Sequence, residues 1–361
     1  VIEHVHIENF KCFKDFDINL GPFNVLVGPN DSGKSSFLEA LLGVTERVPM
    51  IREEWSGHTS PFIGTRGHKK HIAAAWRNDI EQCICIEASG THEDVSFSAS
   101  WKCPTTYAEK GKPVELSLRR PDVEDAHFND ACKKMIAAAK ASYGTRYMVR
   151  FRAAALRLPT PLNDKGFLSE DGKGFPSFLD RILREDRDRF REFEQAFYER
   201  FPHYRRIDLP LDADGQSALT ISFETTHGES IPVSGVSDGL LLSLAYLSLC
   251  YMPEPPKLLM IEEPENCIHP RSLEDVITNL KHLAAERGVQ IILTTHSPYL
   301  VDLVEPETIR VFAKLDDGSV QAARLSDLPG FKSIREELLT GEIWASLDEK
   351  TIVEKAGRGG E

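Results

Sequence analysis

The stretch Gly28-Pro29-Asn30-Asp31-Ser32-Gly33-Lys34-Ser35 matches the phosphate-binding loop pattern G-x-x-x-x-G-K-S. An apolar run at 23–27 predicts a strand before it, and apolar residues at i,i+4 spacing between 37 and 42 predict a helix after it. In this setting the loop amides and the positive end of the helix dipole point at the same phosphate. We therefore expect a nucleotide here, with Lys34 at the β- and γ-phosphates and Ser35 on Mg²⁺. The residues expected to contact the nucleotide are Gly28, Asn30, Ser32, Gly33, Lys34, Ser35 and Ser36.

Two later apolar runs predict buried strands that end in groups suited to catalysis. Residues 257–261 lead into Glu262 and Glu263, and residues 288–295 lead into His296. Such strands fit the centre of a parallel sheet, and open α/β sheets bind ligands at the carboxyl ends of their strands. Glu262 can therefore bind Mg²⁺, and Glu263 can orient or deprotonate a water. An exposed acidic turn would explain one glutamate better than two, and a histidine alone is more often structural than catalytic.

A second helix start is predicted ahead of these acids. Ser237 and Gly239 precede the very apolar run 240–251, which predicts a buried helix. The amino end of a helix is a favourable place for phosphate. Ser237 and Gly239 are therefore further candidates for nucleotide contact.

The order of these motifs resembles the ABC-class ATPase heads of the RecF/SMC/OLD group. Within that group the chain is most similar to compact ATPases with Glu-Glu-Pro-Glu and Thr-Thr-His-Ser-Pro motifs, which here lie at 262–265 and 294–298. The opening at 7–13 is similar to the I-x-N-F-K-x-F start of these heads. The resemblance implies an α/β fold: a bilobed ABC-type P-loop ATPase head with a mostly parallel core sheet, an antiparallel β meander and a helical lobe.

The resemblance also implies a role for each matching residue. Lys34 and Ser35 would be the Walker A pair, Glu262 the Walker B ligand of Mg²⁺, Glu263 the catalytic glutamate and His296 the switch histidine. Residues 266–269 would be the D-loop. The implied cofactors are ATP and Mg²⁺.

The signature motif of the family corresponds to Ser237 and Gly239, and in this family it contacts the γ-phosphate of ATP held by a second subunit. The resemblance therefore implies a homodimer that closes on ATP. Two departures stand out: the Walker B acid is usually Asp, and the signature reads Ser-Asp-Gly-Leu where transporters have Ser-Gly-Gly-Gln. Both argue against a transporter ATPase, and the first keeps a nucleotide-binding scaffold without hydrolysis open. Gln82 is the candidate for the Q-loop.

The motif positions predict a core made of 1–45 and 234–330, an inserted lobe at 46–233, and a helical tail at 331–361. Within the lobe, alternating apolar residues predict antiparallel strands at 80–88, 95–101 and 113–119, and another strand at 219–225. Helices are predicted at 122–142 and 176–201.

Composition restricts the location and the cofactors. The chain has 361 residues, 41% of them hydrophobic, and seven cysteines without framework spacing. This odd number suggests reduced thiols in a cytoplasmic protein, and no apolar run is long enough to predict a membrane span. Cys83, Cys85 and Cys103, with His92 nearby, could bind zinc, or they could be buried thiols. The sequence leaves both interpretations open.

Charge gives no general reason to expect nucleic acid, because the formal net charge is −13. Two local basic clusters could still contact DNA: one at 66–71, and one made of Arg146, Arg150, Arg152 and Arg157. The alternatives are a solvated surface or pairing of the arginines with the abundant acids. No effector pattern follows residue 300, so we expect a separate effector protein. The expected function is an ATP switch in DNA repair or maintenance, or in defence against phage. A transporter subunit, a scaffold and a small-molecule kinase or GTPase are the alternatives.

Overall fold

The computed structural model describes residues 1–45, 83–92, 95–104, 115–118, 146–212 and 218–357. The chain divides into two compact units, one made of Val1–Arg146 with Val304–Glu361 and the other of Tyr147–Leu303. The phosphate loop belongs to the first unit, whereas the two acids, the histidine and the signature segment belong to the second. The domain division proposed from the motif order stays a prediction.

An antiparallel sheet forms one part of the first unit. Its strands are β1 (Ile2–Phe10), β2 (Phe13–Asn19), β4 (Cys83–His92), β5 (Val95–Pro104) and β6 (Glu115–Leu118), in the order β2-β1-β4-β5-β6. The antiparallel pairing of β4 with β5 and of β5 with β6 confirms the predicted meander. The predicted helix at 122–142, the basic cluster at 66–71 and Gln82 lie outside the described residues.

The phosphate loop joins a second group of elements in the first unit. Strand β3 (Phe23–Val27) precedes the loop, and helix α1 (Lys34–Thr45) follows it. Strand β15 (Ile309–Lys314) lies parallel to β3 and antiparallel to β16 (Val320–Arg324). The rings of Phe16, Phe37 and Phe312 pack together with centroids 5.5–6.0 Å apart. Because Phe37 lies in the first turn of α1, this cluster fixes the start of the helix and with it the loop.

The motifs of the second unit are carried by parallel strands and the helices that follow them. Strands β13 (Leu258–Glu262) and β14 (Gln290–Thr295) are parallel, fully buried, and in register with Glu262 opposite Thr294. Strand β7 (Arg146–Val149) lies on the other side of β13. The helices are α5 (Asp238–Cys250), α6 (Pro270–Arg287) and α7 (Pro298–Asp302). The predicted strands and the buried helix after the signature are confirmed.

One helix prediction was wrong in its continuity. The segment 176–201 forms two helices, α3 (Phe175–Glu185) and α4 (Arg187–Arg200), because Asp186 between them is extended, with φ −149° and ψ 91°. The Asp186 carboxylate accepts a hydrogen bond from the backbone N–H of Arg189 at 3.0 Å and so caps α4. The helical spacing of apolar side chains continues across Asp186, so the sequence signals this break only through the capping aspartate itself.

Short elements complete the two units. The second contains α2 (Ala153–Leu156), the strand pair β8 (Thr160–Pro161) and β10 (Ala218–Leu219), and the sheet of β9 (Tyr204–Asp208), β11 (Ser222–Thr225) and β12 (Ser230–Pro232). The strand predicted at 219–225 is therefore two strands. In the first unit, α8 (Phe331–Arg335), α9 (Thr340–Ser346) and α10 (Glu349–Gly357) form the helical tail. Within the described ranges, no helix combines the length and apolar character needed to cross a bilayer.

Candidate active site

The phosphate loop is held in shape by its own lysine. Lys34 is buried, and its Nζ donates hydrogen bonds to the carbonyl oxygens of Gly28 and Pro29 at 2.8 and 2.9 Å. The hydroxyl of Ser32 lies 3.3 Å from the same nitrogen. Ser35 is exposed at the start of α1, as a metal-binding hydroxyl requires. The loop thus places an ammonium group and a helix amino end together, which favours an anionic ligand.

The loop also requires its glycines. Gly28 has φ +146°, and a Cβ there would lie 2.4 Å from the carbonyl oxygen of Phe312. Gly33 has φ +92°, and a Cβ there would lie 3.0 Å from the sulfur of Cys12. Burial raises the pKa of this Cys12 thiol, so the group under the loop stays neutral and adds no negative charge.

Glu262 is a buried acid with one free oxygen. The residue is 5% exposed at the end of β13, and its Oε2 lies 3.4 Å from a guanidinium nitrogen of Arg150. Its Oε1 is buried and has no hydrogen-bond partner in the described part of the chain. A buried carboxylate oxygen without a partner is costly unless a ligand satisfies it. This orphaned oxygen fits a magnesium ion bound directly or through water.

Glu263 and His296 form a pair at the ends of neighbouring strands. Glu263 Oε1 lies 3.4 Å from His296 Nε2, and both side chains are about one-third exposed. The other oxygen, Oε2, accepts a hydrogen bond from the Asn266 amide at 2.7 Å. Glu263 itself has φ +47°, a left-handed conformation that is rare for a residue with a side chain. The turn therefore aims a carboxylate at the imidazole at some cost in backbone strain.

Glu265 connects the two strand ends. Its Oε1 accepts hydrogen bonds from the Thr295 hydroxyl at 2.6 Å and from the backbone N–H of His296 at 3.0 Å. Thr295 Oγ1 in turn accepts from the backbone N–H of Ser297 at 2.9 Å. The last acid of the Glu-Pro-Glu motif thus holds the backbone that carries the histidine.

Replacing Glu265 should cost stability and disturb His296. Glu265→Ala leaves the Thr295 hydroxyl and the His296 amide without their charged acceptor, and we expect a loss of about 2–3 kcal/mol in the free energy of unfolding. Glu265→Gln keeps an acceptor oxygen and should lose less. Urea unfolding of the two variants measures the difference. An alanine variant as stable as the unmodified protein would contradict this role.

The signature segment lies at the start of α5. Ser237 is the N-cap, and its Oγ accepts a hydrogen bond from the backbone N–H of Leu240 at 3.3 Å. Ser237 is exposed, as a residue that meets a second molecule must be. Gly239 passes so close to the D-loop that a Cβ would lie 2.8 Å from the carbonyl oxygen of Cys267. The predicted helix-start position of Ser237 and Gly239 is confirmed, and the glycine is needed for a close approach.

Sequence reasoning missed three contacts of this site. Arg150 and Arg157 belong to one of the predicted basic clusters, yet the structure pairs Arg150 with Glu262 and Arg157 with Asp238. The alternative of pairing with acids is therefore correct for these two arginines. The role of Glu265 was also missed, although its place in the Glu-Pro-Glu motif was a signal. Nothing in the sequence links Arg157 to a segment about 80 residues away.

The zinc interpretation receives no support from the described side chains. Cys85 is buried, and the side chains of Cys83, Cys103 and His92 lie outside those described. Among the described residues, the group whose geometry suits a metal ion is His6 with Asp15 and Asp17, which contains no cysteine. None of Cys12, Cys85, Cys250 and Cys267, which lie in the described part of the chain, forms a disulfide.

The fold and the site define a P-loop ATPase, and comparison with known proteins gives its family. The profile of the family described as "AAA domain, putative AbiEii toxin, Type IV TA system" matches residues 108–302, and that of the "AAA ATPase domain" matches residues 1–73. The first match spans more than half of the chain, and the chain belongs to that family.

One relative and two solved structures extend this result. The OLD nuclease of Thermus scotoductus is 20% identical over 377 residues, which cover 94% of this chain and 68% of that protein. An SMC head bound to the C-winged helix domain of ScpA has a TM-score of 0.60 at 15% identity and covers 89% of this chain and 96% of its own. The Smc head with an extended coiled coil, bound to the C-terminal domain of ScpA from Pyrococcus furiosus, has a TM-score of 0.55 at 14% identity, with 93% and 98% covered. At these identities the structures show the fold alone.

The chain is thus an ABC-class ATPase head of the RecF/SMC/OLD group. It has the α/β fold of that class, with mostly parallel core strands and helices. The family and fold predicted from the motif order are confirmed, and so is the prediction of an ATPase.

Proposed function

We propose that the protein is a Mg²⁺-dependent ATP switch, which hydrolyses ATP to return from a closed dimer to an open state. The observation that carries the proposal is the group of Glu262, Glu263 and His296 at the ends of two adjacent parallel strands. One carboxylate is buried with a free oxygen, and the next is partly exposed beside an imidazole. Phosphoryl transfer to water needs one carboxylate that binds Mg²⁺ and a second that orients the attacking water.

In this proposal Lys34 and the loop amides hold the phosphates, and the Ser35 hydroxyl and Glu262 hold Mg²⁺. The ion, when bound, offsets the negative charge that develops on the transferred phosphoryl group. Glu263 orients the attacking water and accepts its proton, since it is the carboxylate that is partly exposed. Asn266 and His296 hold its two oxygens in place, and Glu265 fixes the backbone of His296.

Two variants should shift the Mg²⁺ requirement in opposite directions. Glu262→Gln should weaken Mg²⁺ binding about 10–100-fold, because it removes a metal-linked carboxylate. Arg150→Gln should strengthen it about fivefold, because it removes a cation that pairs with Glu262 at 3.4 Å and would repel the ion. Two unit charges 4 Å apart interact by roughly 1 kcal/mol in bulk water, which corresponds to about fivefold in affinity. Arg152→Gln, an exposed arginine on the same segment, should change nothing. The measurement is the Mg²⁺ concentration that gives half of the thermal stabilisation by ATP, in a Glu263→Gln background. Shifts in the same direction for the first two variants would contradict the assignment of Glu262.

The switch requires a second subunit. Ser237 and Gly239, exposed or close to the surface at a helix start, would contact the γ-phosphate of ATP held by the Lys34 of the other subunit. Two such contacts related by a two-fold axis give two composite sites. ATP then stabilises the closed state through contacts that exist only there, and hydrolysis removes them.

We further propose a cytoplasmic role in DNA maintenance or in defence against phage, with a separate effector protein. The family description with its toxin–antitoxin term and the OLD nuclease relative support this setting. The SMC head bound to a domain of ScpA supports the use of a partner protein. The described cysteines Cys12, Cys85, Cys250 and Cys267 form no disulfide, which supports the location. DNA is the less supported partner, because Arg150 and Arg157 are engaged with acids.

Steady-state ATP hydrolysis, measured with and without duplex DNA, tests the proposal. We expect Mg²⁺-dependent turnover that is lost in Glu263→Gln while ATP binding remains. Stimulation by DNA at low salt that decreases as salt rises would support a DNA-linked role. Turnover that persists in Glu263→Gln would contradict the catalytic assignment.

A further inference from the structure

Arg157 holds the signature segment by three contacts. Its guanidinium donates hydrogen bonds to the carbonyl oxygens of Val233 and Val236, at 3.3 and 2.9 Å, and pairs with the Asp238 carboxylate at 2.7 Å. Residues Val233–Gly235 form a single 3₁₀ turn, so the two carbonyls lie at its start and just past its end. Arg157 therefore contacts the segment 233–238 both before and after Ser237.

The arginine is itself fixed in place. Its backbone N–H donates to the carbonyl oxygen of Ala153 at 3.2 Å and closes helix α2. Helix α2 packs on α5, and the Phe151 ring packs against the Tyr246 ring of α5 in a tilted arrangement with ring centroids 4.8 Å apart. The Arg157 side chain is 23% exposed, whereas the Asp238 side chain is 61% exposed. A mostly covered cation thus approaches the signature from the protein side, and the exposed acid faces outward.

The negative charge of Asp238 explains why an arginine is needed beside the signature segment. Asp238 occupies the position that in the transporter signature is glycine, and it stands between Ser237 and Gly239. A carboxylate there would repel an incoming triphosphate, because like charges at a few ångströms interact unfavourably. The Arg157 guanidinium at 2.7 Å offsets that charge while it leaves the Ser237 hydroxyl exposed.

We infer that Arg157 is a positioning residue for nucleotide-dependent dimerisation: it fixes the signature turn and neutralises Asp238, so that Ser237 can meet the ATP of a second copy of this chain. The inference rests on the proposed composite site. It extends that proposal because it explains Asp238, the acid that replaces a glycine of the transporter signature, as one half of an ion pair with Arg157.

The test measures the dimer dissociation constant by light scattering, with saturating ATP and Mg²⁺, in a Glu263→Gln background. Arg157→Gln should raise this constant about a hundredfold, since each of two equivalent sites loses about tenfold. Arg157→Lys keeps the charge and should give an intermediate value. Adding Asp238→Asn to Arg157→Gln should recover part of the loss, because the uncompensated acid is then removed. Arg152→Gln is the matched control and should dimerise like the parent.

Two further measurements distinguish a positioning role of Arg157 from a general loss of folding in the variant. ATP should stabilise the Arg157→Gln monomer against heat as much as the parent monomer, because Lys34 and its loop are unchanged. In the nucleotide-free monomer, amide hydrogen exchange at 233–239 should accelerate in Arg157→Gln and not in Arg152→Gln. Unchanged exchange, or dimerisation equal to that of the parent, would overturn the inference. A parent that does not dimerise while exchange at 233–239 still accelerates would overturn the composite site and leave the anchoring role of Arg157 established.

Discussion

The Glu263→Gln protein should accumulate as an ATP-bound dimer. The substitution removes the carboxylate that activates water, yet the groups that hold the γ-phosphate remain. The closed state then outlives the hydrolysis step that normally ends it. Size-exclusion chromatography with light scattering should show a shift from monomer to dimer on addition of ATP and Mg²⁺. A protein that stays monomeric at saturating ATP and high concentration would count heavily against the switch.

In the same background, Ser237→Arg should prevent the dimer. A bulky cation replaces the exposed N-cap hydroxyl that would face the phosphate of the other subunit. ATP binding to the monomer should stay nearly unchanged, because Ser237 acts on the other subunit. Ser346→Arg, at an exposed serine that ends α9, is the matched control and should still dimerise. Loss of ATP binding in Ser237→Arg would place this serine at its own subunit's nucleotide instead.

Lys34→Ala should abolish ATP binding. A ligand at a hundred times its dissociation constant stabilises the native state by about 2.7 kcal/mol. For a chain of this size that is a rise of a few degrees in melting temperature. The comparison is made within each variant, with and without ATP, because removal of the Lys34 hydrogen bonds also lowers the stability of the loop itself.

Lys14→Ala provides the control for charge. Lys14 is an exposed lysine of β2, and its Nζ lies 3.9 Å from the carboxylate of Asp317. Its variant should keep the full shift with ATP. An equal rise in melting temperature with ATP in Lys34→Ala would show that the phosphate loop is not the ATP-binding site.

Features set by neighbouring residues were predictable from the sequence. The phosphate loop, its strand and its helix are specified within about 20 residues, and the apolar runs of β13 and β14 require burial wherever they lie. The N-cap position of Ser237 follows from the apolar helix after it. These elements also carry the candidate catalytic residues, so the candidates follow from the sequence, and their catalytic roles stay predictions.

Features set by distant contacts were not predictable. Whether an arginine lies on a solvated surface or pairs with an acid depends on which segments the fold brings together. Arg150 lies beside Glu262, and Arg157 beside Asp238, across separations of about 80 to 110 residues. The break at Asp186 was missed for the opposite reason: a single local cap interrupted a helical pattern that continued on both sides.

Mixing the Lys34→Ala protein with the Ser237→Arg protein tests most directly whether one subunit's signature acts on the other subunit's ATP. Each variant alone should be inactive, but a mixed dimer contains one composite site with an intact Lys34 and an intact Ser237. ATP hydrolysis should therefore appear on mixing, well above the sum of the two separate proteins. Replacing the Ser237→Arg partner by the Lys34→Ala/Ser237→Arg double variant should give none, because no intact site can form. A mixture of the two single variants that stays inactive would contradict action between subunits.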